Sequence, residues 1–309
     1  MTRAPFHDYT ARCIYHITVC KSALAPAFGR LTGQLPDINI TKTVLGQIIE
    51  KEIRLLPELS PNLRLLQYVI MPDHIHLLLF VTERTDRPLG VYIGKMKVRI
   101  GQKYREITNS ELSVFEKNFD DRILYRSRSL DTIYRYIREN PYRLAVRREN
   151  PQFFSRINSL TLCGRHCQAY GNILLLKNPF KEQVVIHRAD SAERRVRMRE
   201  QWLHTADNGG VLVSPFISQA EKQIRDAAME INGKLIIIRN GTFAERYKPS
   251  GKEFELCADG RLLIIASDFG PSEISRAGCL NMNSFAETLA NGNEISIESV
   301  AGNDAVGVA

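Results

Sequence analysis

The chain has 309 residues, a formal net charge of +8 and a hydrophobic fraction of 44%. This length exceeds what one core ordinarily needs, so we expect two domains. No apolar run is long enough to cross a bilayer, and the first residues lack the apolar segment of a signal peptide. The six cysteines are scattered, which favours a reducing compartment over a disulfide scaffold. These features exclude membrane-spanning and secreted classes and predict a cytoplasmic protein.

The positive charge is concentrated in the first half of the chain. Residues 1–150 hold 24 Lys and Arg against 16 Asp and Glu, whereas residues 151–309 hold 18 of each. Basic residues interleaved with tyrosines are typical of a surface that binds a polyanion with stackable bases. Solvated helix faces are the alternative. On this basis we predict nucleic-acid contacts for Lys95, Lys97, Arg99, Lys103, Arg122, Arg126, Arg135, Arg138 and Arg143.

In chain order, residues 1–150 predict an α+β domain. A strand (11–20) is followed by a loop rich in Gly and Pro, a helix (41–56) and two strands (62–71 and 74–82) joined at Pro72-Asp73. A basic helix (89–106) and a third helix (129–140) follow, the last ended by Asn140-Pro141. This order is typical of a ferredoxin-like antiparallel sheet sandwiched with helices.

Residues 151–270 predict a smaller α/β domain. Its short apolar runs are typical of strands covered on both faces of a mostly parallel sheet, and they lie at 172–178, 184–188, 209–216, 234–240 and 261–267. Helical patterns occupy 191–206 and 218–233. Ser214 and Ser218 bracket a strand-to-helix turn whose backbone N–H groups could hold a phosphate, although ordinary packing is the simpler interpretation. Residues 271–309 are small and polar and predict a weakly structured tail.

Two histidines in the strand at residues 74–82 are the first candidates for chemistry. Side chains at positions i and i+2 of a strand share one face, so His74 and His76 point the same way. Two imidazoles side by side can ligate one divalent cation and leave positions open for oxygen donors. The alternative is a pair of histidines on a solvated sheet face, and the pair alone does not decide between them.

The third helix carries a candidate nucleophile and a further candidate ligand. Tyr136 and Asn140 are four residues apart and therefore share one face of the helix. A tyrosine hydroxyl becomes a useful nucleophile when a metal polarises the electrophile that it attacks, as in a phosphodiester held by a divalent cation. Otherwise Tyr136 is a half-buried aromatic residue and Asn140 a helix C-cap before proline.

Together these segments resemble a known family. The stretch MPDHIHLLL (71–79) is similar to the histidine-hydrophobic-histidine (HUH) motif of single-tyrosine transposases of the insertion-sequence 200-like superfamily. YHIT (15–18), FEKNFDDRIL (115–124) and YIRENPYRLAV (136–146) resemble its REP-associated tyrosine transposase branch, in which the last motif reads Tyr-Ile-x-x-Asn-Pro. The resemblance covers residues 6–150, with Phe115 where many relatives carry tryptophan.

The resemblance implies a function and a set of roles. It implies Mg²⁺ or Mn²⁺ held by His74, His76 and Asn140, and single-stranded or hairpin DNA as the partner, in a cytoplasmic, nucleoid-associated protein. Tyr136 would attack the scissile phosphate to give a 5′-phosphotyrosine and a free 3′-hydroxyl. Tyr134 is the rival nucleophile, but it points about 200° away around the helix.

Several alternatives stay open from the sequence. They are a non-catalytic DNA-binding protein that retains the transposase fold, and a monomeric or homodimeric site. A replication-initiation relaxase would share the chemistry, but the short first domain and the Tyr-Ile-x-x-Asn-Pro motif argue against it. Nothing in the family core accounts for residues 151–309. There the strand-to-helix turn resembles, more weakly, the Rossmann-like domains of DNA-processing proteins, and we expect an accessory domain that contacts DNA or dimerises.

Overall fold

The computed structural model describes residues 7–124, 127–245, 247–270 and 275–292. They divide between Val146 and Arg147 into two compact units. Arg126, one of the predicted DNA contacts, lies outside the described residues, as do residues 293–309 of the predicted tail. Of the helices that the structure describes, none combines the length and the apolarity needed to cross a bilayer.

The first unit is built on a four-stranded antiparallel sheet. Its strands and helices are β1 (Cys13–Cys20), β2 (Gly29–Gln34), β3 (Asp37–Lys42), α1 (Val44–Arg54), β4 (Leu63–Ile70), β5 (His74–Val81), α2 (Leu89–Thr108), β6 (Asp120–Leu124) and α3 (Ser127–Glu149). The sheet order is β4-β5-β1-β6, with β5 and β1 in the centre. The segment predicted as a Gly- and Pro-rich loop contains a separate hairpin, β2–β3. The unit is thus the mixed α and β structure with an antiparallel sheet that the sequence predicts.

The two faces of this sheet are covered by different helices. On one face, Ile75, Leu77 and Leu79 of β5 join the large apolar core that contains the buried residues of α1 and α2. The alternate residues of β5 point to the other face, where Leu78 packs with Ile133 and Ile137 of α3. His74 and His76 belong to this second set, so strand alternation directs both histidines toward the face covered by α3.

The contact between α1 and the rest of the unit predicts a measurable effect of one methyl group. A Cβ added at Gly46 would overlap the carbonyl oxygen of the buried Phe28, whereas one added at Gly94 in α2 meets nothing. We expect Gly46→Ala to destabilise the first unit by about 2 kcal/mol, because the backbone must move. Gly94→Ala should stabilise it by about 0.5–1 kcal/mol through its helix propensity.

Hydrogen exchange of α1 and β4 amides in the full chain measures both changes. Trp202, the single tryptophan of the chain, is buried in the second unit. Its fluorescence unfolding curve should therefore stay unchanged in both variants and serve as the internal control. Equal exchange rates in the two variants would contradict the expected steric overlap.

The helix that carries Tyr136 is longer than the sequence predicts. Instead of ending at Asn140-Pro141, α3 continues to Glu149 with Pro141 inside it. A proline in a helix removes one backbone hydrogen bond, but packing on both sides can hold the helix together. Here Ile137 precedes the proline, and Ala145 and Val146, both buried, follow it. The prediction that Asn140 ends the helix was therefore wrong.

The second unit contains a mixed six-stranded sheet. Its elements are β7 (Arg156–Leu162), β8 (Arg165–Gly171), β9 (Lys181–Gln183), α4 (Ala192–Asp207), β10 (Val211–Ser214), α5 (Gln219–Glu230), β11 (Lys234–Asn240), α6 (Lys252–Ala258), β12 (Leu262–Ser267) and α7 (Arg276–Asn291). The order is β7-β8-β12-β11-β10-β9. Strands β9 to β12 are parallel, whereas β8 is antiparallel to both β12 and β7. The α/β alternation is present, and the Rossmann-like arrangement stays a prediction.

Two apolar runs of this unit are not the strands that the sequence predicts. Residues Ile173–Lys177 form a 3₁₀ helix, with the side chain of Asn172 accepting from the backbone N–H of Leu174 at 3.1 Å. Strand β9 ends at Gln183, before the first residue of the predicted strand 184–188. The backbone N–H of Ile186 instead donates to the carboxylate of Glu221 at 3.2 Å, so a side chain replaces the sheet partner.

Part of the predicted tail is also ordered. Residues Arg276–Asn291 form α7, which begins at Ser275, whose hydroxyl accepts from the backbone N–H of Gly278 at 3.0 Å. Met282, Phe285 and Leu289 are buried in the core on one face of the second sheet. Their spacing of three and four residues makes one apolar helix face, and this face corrects the expectation of a weakly structured segment for 276–291.

Candidate active site

The two histidines of β5 converge through their Nε2 atoms. His74 Nε2 and His76 Nε2 are 3.1 Å apart, and the ring centroids are 4.6 Å apart. His74 is 24% exposed at its side chain, and His76 is buried at 5%. One imidazole therefore reaches the surface while its neighbour lies beneath it.

Each imidazole is oriented through its other nitrogen. His74 Nδ1 lies 2.7 Å from Oδ1 of Asp73, a carboxylate that accepts the Nδ1 proton. His76 Nδ1 lies 2.9 Å from the hydroxyl of Thr18 and 3.1 Å from Nε2 of His16. Thr18 is directly opposite His76 in the register of β1 and β5. If the Nδ1 atoms of both rings carry the protons, both Nε2 atoms present lone pairs, because one ring nitrogen donates and the other accepts.

The distance between the two Nε2 atoms fits a divalent cation. Two ligand atoms that each lie about 2.1 Å from an octahedral ion, at right angles to each other, are separated by about 3.0 Å. The observed 3.1 Å matches this separation, and it is also the distance of a hydrogen bond from one Nε2 to the other when one of these nitrogens carries the proton. No group of three or more His, Cys, Asp or Glu in the described ranges is arranged to hold a metal. Any remaining ligands would have to be amide, water or substrate oxygens.

Burial keeps His16 and His76 neutral. Burial, together with the charges of Arg122 and His74, lowers the pKa of His16 to about 4. Burial and the neighbouring imidazoles of His74 and His16 lower the pKa of His76 to about 2. A neutral imidazole is the form that ligates a metal, so His76 is ready to bind one at neutral pH.

The lowered pKa of His16 predicts a pH dependence of stability. In the unfolded chain a histidine takes up a proton below its ordinary pKa of 6.5, whereas in the folded unit His16 stays neutral down to about 4. The unfolded state therefore binds more protons between these values, and the free energy of unfolding should fall as the pH is lowered from 6.5 toward 4.

Urea unfolding followed by circular dichroism in EDTA measures this dependence without competition from metal ions. A His16→Gln variant should show a shallower loss of stability in the same window, because one of the titrating groups is gone. Identical slopes for the variant and the unmodified protein would contradict the assignment.

Tyr136 lies beside the histidines. Its ring centroid is 5.5 Å from that of His76 and 6.1 Å from that of His16. The guanidinium carbon of Arg143 lies 5.5 Å from the centroid of the tyrosine ring. Tyr134, the rival nucleophile, is 42% exposed on another side of α3, as the helical spacing predicts.

Asn140 is buried one turn after Tyr136. It is 6% exposed, and its Nδ2 donates to the carbonyl oxygen of Tyr136 at 2.9 Å. With the nitrogen bound in this way, Oδ1 is the atom that the amide has available as a ligand. The hydrogen bond also ties the Asn140 side chain to the turn that carries the candidate nucleophile.

Four of the predicted DNA contacts are engaged in contacts within the first unit. Lys97 donates to the carbonyl oxygens of Glu116 and Lys117 at 2.6 and 3.0 Å. Arg99 and Lys103 pair with the carboxylate of Glu52, which is 2% exposed. Arg143 is buried against Tyr136. These contacts give each side chain a role within the fold, as a charge partner or as a packing partner.

Four other predicted DNA contacts are exposed. Lys95 lies on α2, Arg135 and Arg138 on α3, and Arg122 on the edge strand β6. Arg135 and Arg138 are neighbours on one helix, whereas Lys95 and Arg122 lie on other elements. The role of all nine residues in binding DNA stays a prediction.

His16, Thr18 and Asp73 were not predicted as site residues. On β1 the residues Tyr15, Ile17 and Val19 are buried in the core on the other face, so alternation directs His16 and Thr18 to the face of the histidine pair. That alternation is visible in the sequence. The pairing of Thr18 with His76 depends on the strand register, which is not.

The turn predicted as a phosphate site in the second unit is occupied by its own side chains. Ser218 and Glu221 form a capping box in which the Ser218 hydroxyl accepts from Glu221 N at 3.2 Å and Glu221 accepts from Ser218 N at 2.8 Å. A buried carboxylate thus takes the place at which a phosphate would bind the start of α5. The structure favours the simpler interpretation of this turn, ordinary packing.

Comparisons with known proteins give partial similarities. No family model matches the sequence. A protein of Haemophilus influenzae with no assigned function is 24% identical over 160 residues, which cover 45% of this chain and 86% of that protein.

Two solved structures are similar to part of the chain. One is a REP-associated tyrosine transposase bound to a REP hairpin, with 15% identity and a TM-score of 0.33, covering 45% of this chain and 72% of the other. The second is a proposed transposase from Deinococcus radiodurans, with 12% identity and a TM-score of 0.29, covering 45% of this chain and 97% of the other.

Proposed function

We propose that the first unit is a metal-dependent endonuclease and strand transferase for single-stranded DNA, with a ferredoxin-like fold of the HUH tyrosine transposase kind. The observation that carries the proposal is the 3.1 Å approach of two Nε2 atoms with a tyrosine ring 5.5 Å from His76. A protein that only binds DNA has no need for two oriented imidazoles beside a tyrosine. This function would place the protein with DNA in the cytoplasm.

In this proposal Tyr136 is the nucleophile. Its Oη forms a bond to the scissile phosphorus, and the bond between phosphorus and the 3′ oxygen breaks. The phenolic proton is released, and the 3′ oxygen takes up a proton. The products are a 5′-phosphotyrosine and a 3′-hydroxyl. Attack of a 3′-hydroxyl on the phosphotyrosine reverses these bond changes, restores the tyrosine and joins a strand.

The ligands and their supporting residues have separate tasks. His74 and His76 would hold Mg²⁺ or Mn²⁺ through Nε2, and Asn140 would contribute Oδ1. When bound, the cation polarises the phosphodiester and stabilises the charge that develops on its oxygens. Asp73 would keep His74 in the required tautomer by accepting from its Nδ1. Thr18 would do the same for His76 when its hydroxyl accepts from Nδ1. Arg143 fixes the orientation of the tyrosine ring by stacking.

The proposal is tested by looking for the covalent intermediate. The purified protein is incubated with Mn²⁺ and hairpin oligonucleotides from the DNA that flanks its own gene, labelled at each end in turn. We expect a denaturation-resistant complex that keeps a label at the 3′ end of the oligonucleotide and loses a label at its 5′ end, because the tyrosine is joined to the 5′ phosphate of the downstream fragment. No complex should form in EDTA. Tight binding of the hairpins without any complex would favour the alternative, a non-catalytic DNA-binding protein with the same fold.

For the second unit we propose an accessory role in DNA contact or dimerisation. The strands of its sheet are covered by helices, which gives this unit stable apolar cores. The sequence assigns no catalytic group to it. The mass of the full chain in solution tests dimerisation directly, so this part of the role can be tested without truncating the protein.

A further inference from the structure

Arg122 is placed beside the histidine site by the register of the sheet. On β6, Leu124 packs with Ile133 and Ile137 of α3. Arg122, two residues earlier, therefore points to the same face of the sheet. Strand pairing puts Arg122 directly opposite His16, whose Nε2 lies 3.1 Å from His76 Nδ1. The arginine is thus two strands from His76, on the face that holds the histidine pair.

Arg122 also differs from its neighbours on this face of β6 in its contacts. The other charged residue on this face of β6 is Asp120, which is half-buried and already engaged within the protein. Arg122 is exposed instead, and in the described part of the chain its side chain has no hydrogen bond or ion pair.

The position and the exposure of Arg122 distinguish it from most of the other basic residues predicted to bind DNA. Arg99 and Lys103 neutralise the buried Glu52 on the opposite side of the sheet. Arg135 and Arg138 are exposed on α3, outside the row that runs from β6 across β1 to β5. A guanidinium that lies at the edge of a site, without a hydrogen bond or ion pair to the described residues, is suited to bidentate contact with a phosphate.

We propose that Arg122 binds a backbone phosphate of the DNA within one nucleotide of the scissile bond, and so positions the strand across His16 toward Tyr136. The assignment rests on the proposed function, because that function supplies the strand and the scissile bond. It makes Arg122 a positioning residue, separate from the residues that would hold the cation or attack the phosphate. The edge strand β6 would then be the side from which the strand enters the site.

Binding of a labelled hairpin oligonucleotide with single-stranded tails, measured in EDTA at several salt concentrations, tests the contact. We expect Arg122→Gln to weaken binding about tenfold, the effect of one charge-assisted hydrogen-bonded contact. The slope of log K against log salt should fall by about one. Arg122→Lys should keep the slope while recovering only part of the affinity. Lys51→Gln, an exposed cation lost from α1 on the opposite face of the sheet, should change neither.

A scan of single methylphosphonates then locates the phosphate. Each substitution removes one backbone charge, and the penalty of Arg122→Gln should vanish for one position only. That position should lie within one nucleotide of the cleavage point that the Mn²⁺ adduct defines. The proposal is overturned if Arg122→Gln binds like the unmodified protein, or if its penalty persists at every position in that range.

The two proposals can fail separately. If the unmodified protein forms no adduct with Mn²⁺, the proposed function fails, and the affinity loss with its single-phosphate rescue still decides whether Arg122 contacts the backbone. If the adduct forms and the rescue is absent, the nuclease assignment stands and the role of Arg122 is wrong.

Discussion

Tyr136→Phe is expected to abolish the covalent protein–DNA complex while leaving DNA binding within about twofold. The substitution removes the only atom that would bond to phosphorus and keeps the aromatic ring. The contacts of that ring with His76 and Arg143 therefore persist. Since no other group takes over the role of the nucleophile, the amount of adduct should fall to the detection limit of the assay. Denaturing gel electrophoresis of the labelled complex measures the adduct, and fluorescence anisotropy in EDTA measures binding.

Tyr134→Phe is the matched control for this experiment. It makes the same chemical change two residues away, at a side chain that is 42% exposed. Adduct formation should be unchanged, because the helix directs Tyr134 away from the histidines. Adduct that survives in Tyr136→Phe and disappears in Tyr134→Phe would reverse the assignment of the nucleophile.

Replacement of either histidine of β5 should remove metal binding and activity together. We expect His74→Gln and His76→Gln each to slow adduct formation roughly a thousandfold, a loss of about 4 kcal/mol of transition-state stabilisation. Electron paramagnetic resonance of free Mn²⁺ in a titration with each variant gives the metal affinity independently of catalysis. His74 is the safer site for this test, since its side chain is partly exposed and its loss leaves no buried gap.

Asp73→Asn tests the hydrogen-bond partner of a candidate ligand without changing the candidate ligand itself. Asp73 accepts the Nδ1 proton of His74 and would not touch the cation. We expect Mn²⁺ affinity to fall about 10–100-fold, as for other outer partners of metal-binding histidines, with activity recovered at high Mn²⁺. Normal Mn²⁺ affinity in His74→Gln would argue that the two Nε2 atoms do not form a metal site.

Local spacing was enough to predict which side chains of the candidate site share a face, and strand register was needed to place the others beside them. The i, i+2 pair of His74 and His76 shares a face in any strand, and Tyr136 and Asn140 share a face in any helix. The sequence states these relations directly. The contact between Thr18 and His76 exists because β1 and β5 pair in one particular register. A shift of two residues would keep every side chain on the same face and bring another one to His76.

The errors in the fold have local physical causes. A proline signals a helix end because it lacks an N–H group, yet in α3 the apolar contacts of Ile137, Ala145 and Val146 outweigh the lost hydrogen bond. In α7, the many small and polar residues obscure the helical spacing of the three apolar side chains that pack in the core. Turn chemistry was also missed, since Cys163 and Gly164 take positive φ angles between β7 and β8, a tight hairpin turn that the six-stranded sheet requires.

The two apolar cores of the first unit differ in size, and this difference has a consequence for motion. In the described residues, the core shared with α1 and α2 contains 21 buried side chains, whereas the core beneath α3 contains four. Local unfolding costs less where less apolar surface is exposed. The candidate metal ligands lie on a central strand of the sheet, and the candidate nucleophile lies on the helix that covers the smaller core. Under the proposed function, a DNA end joined to Tyr136 would move with this helix while the candidate ligands stay in place on β5.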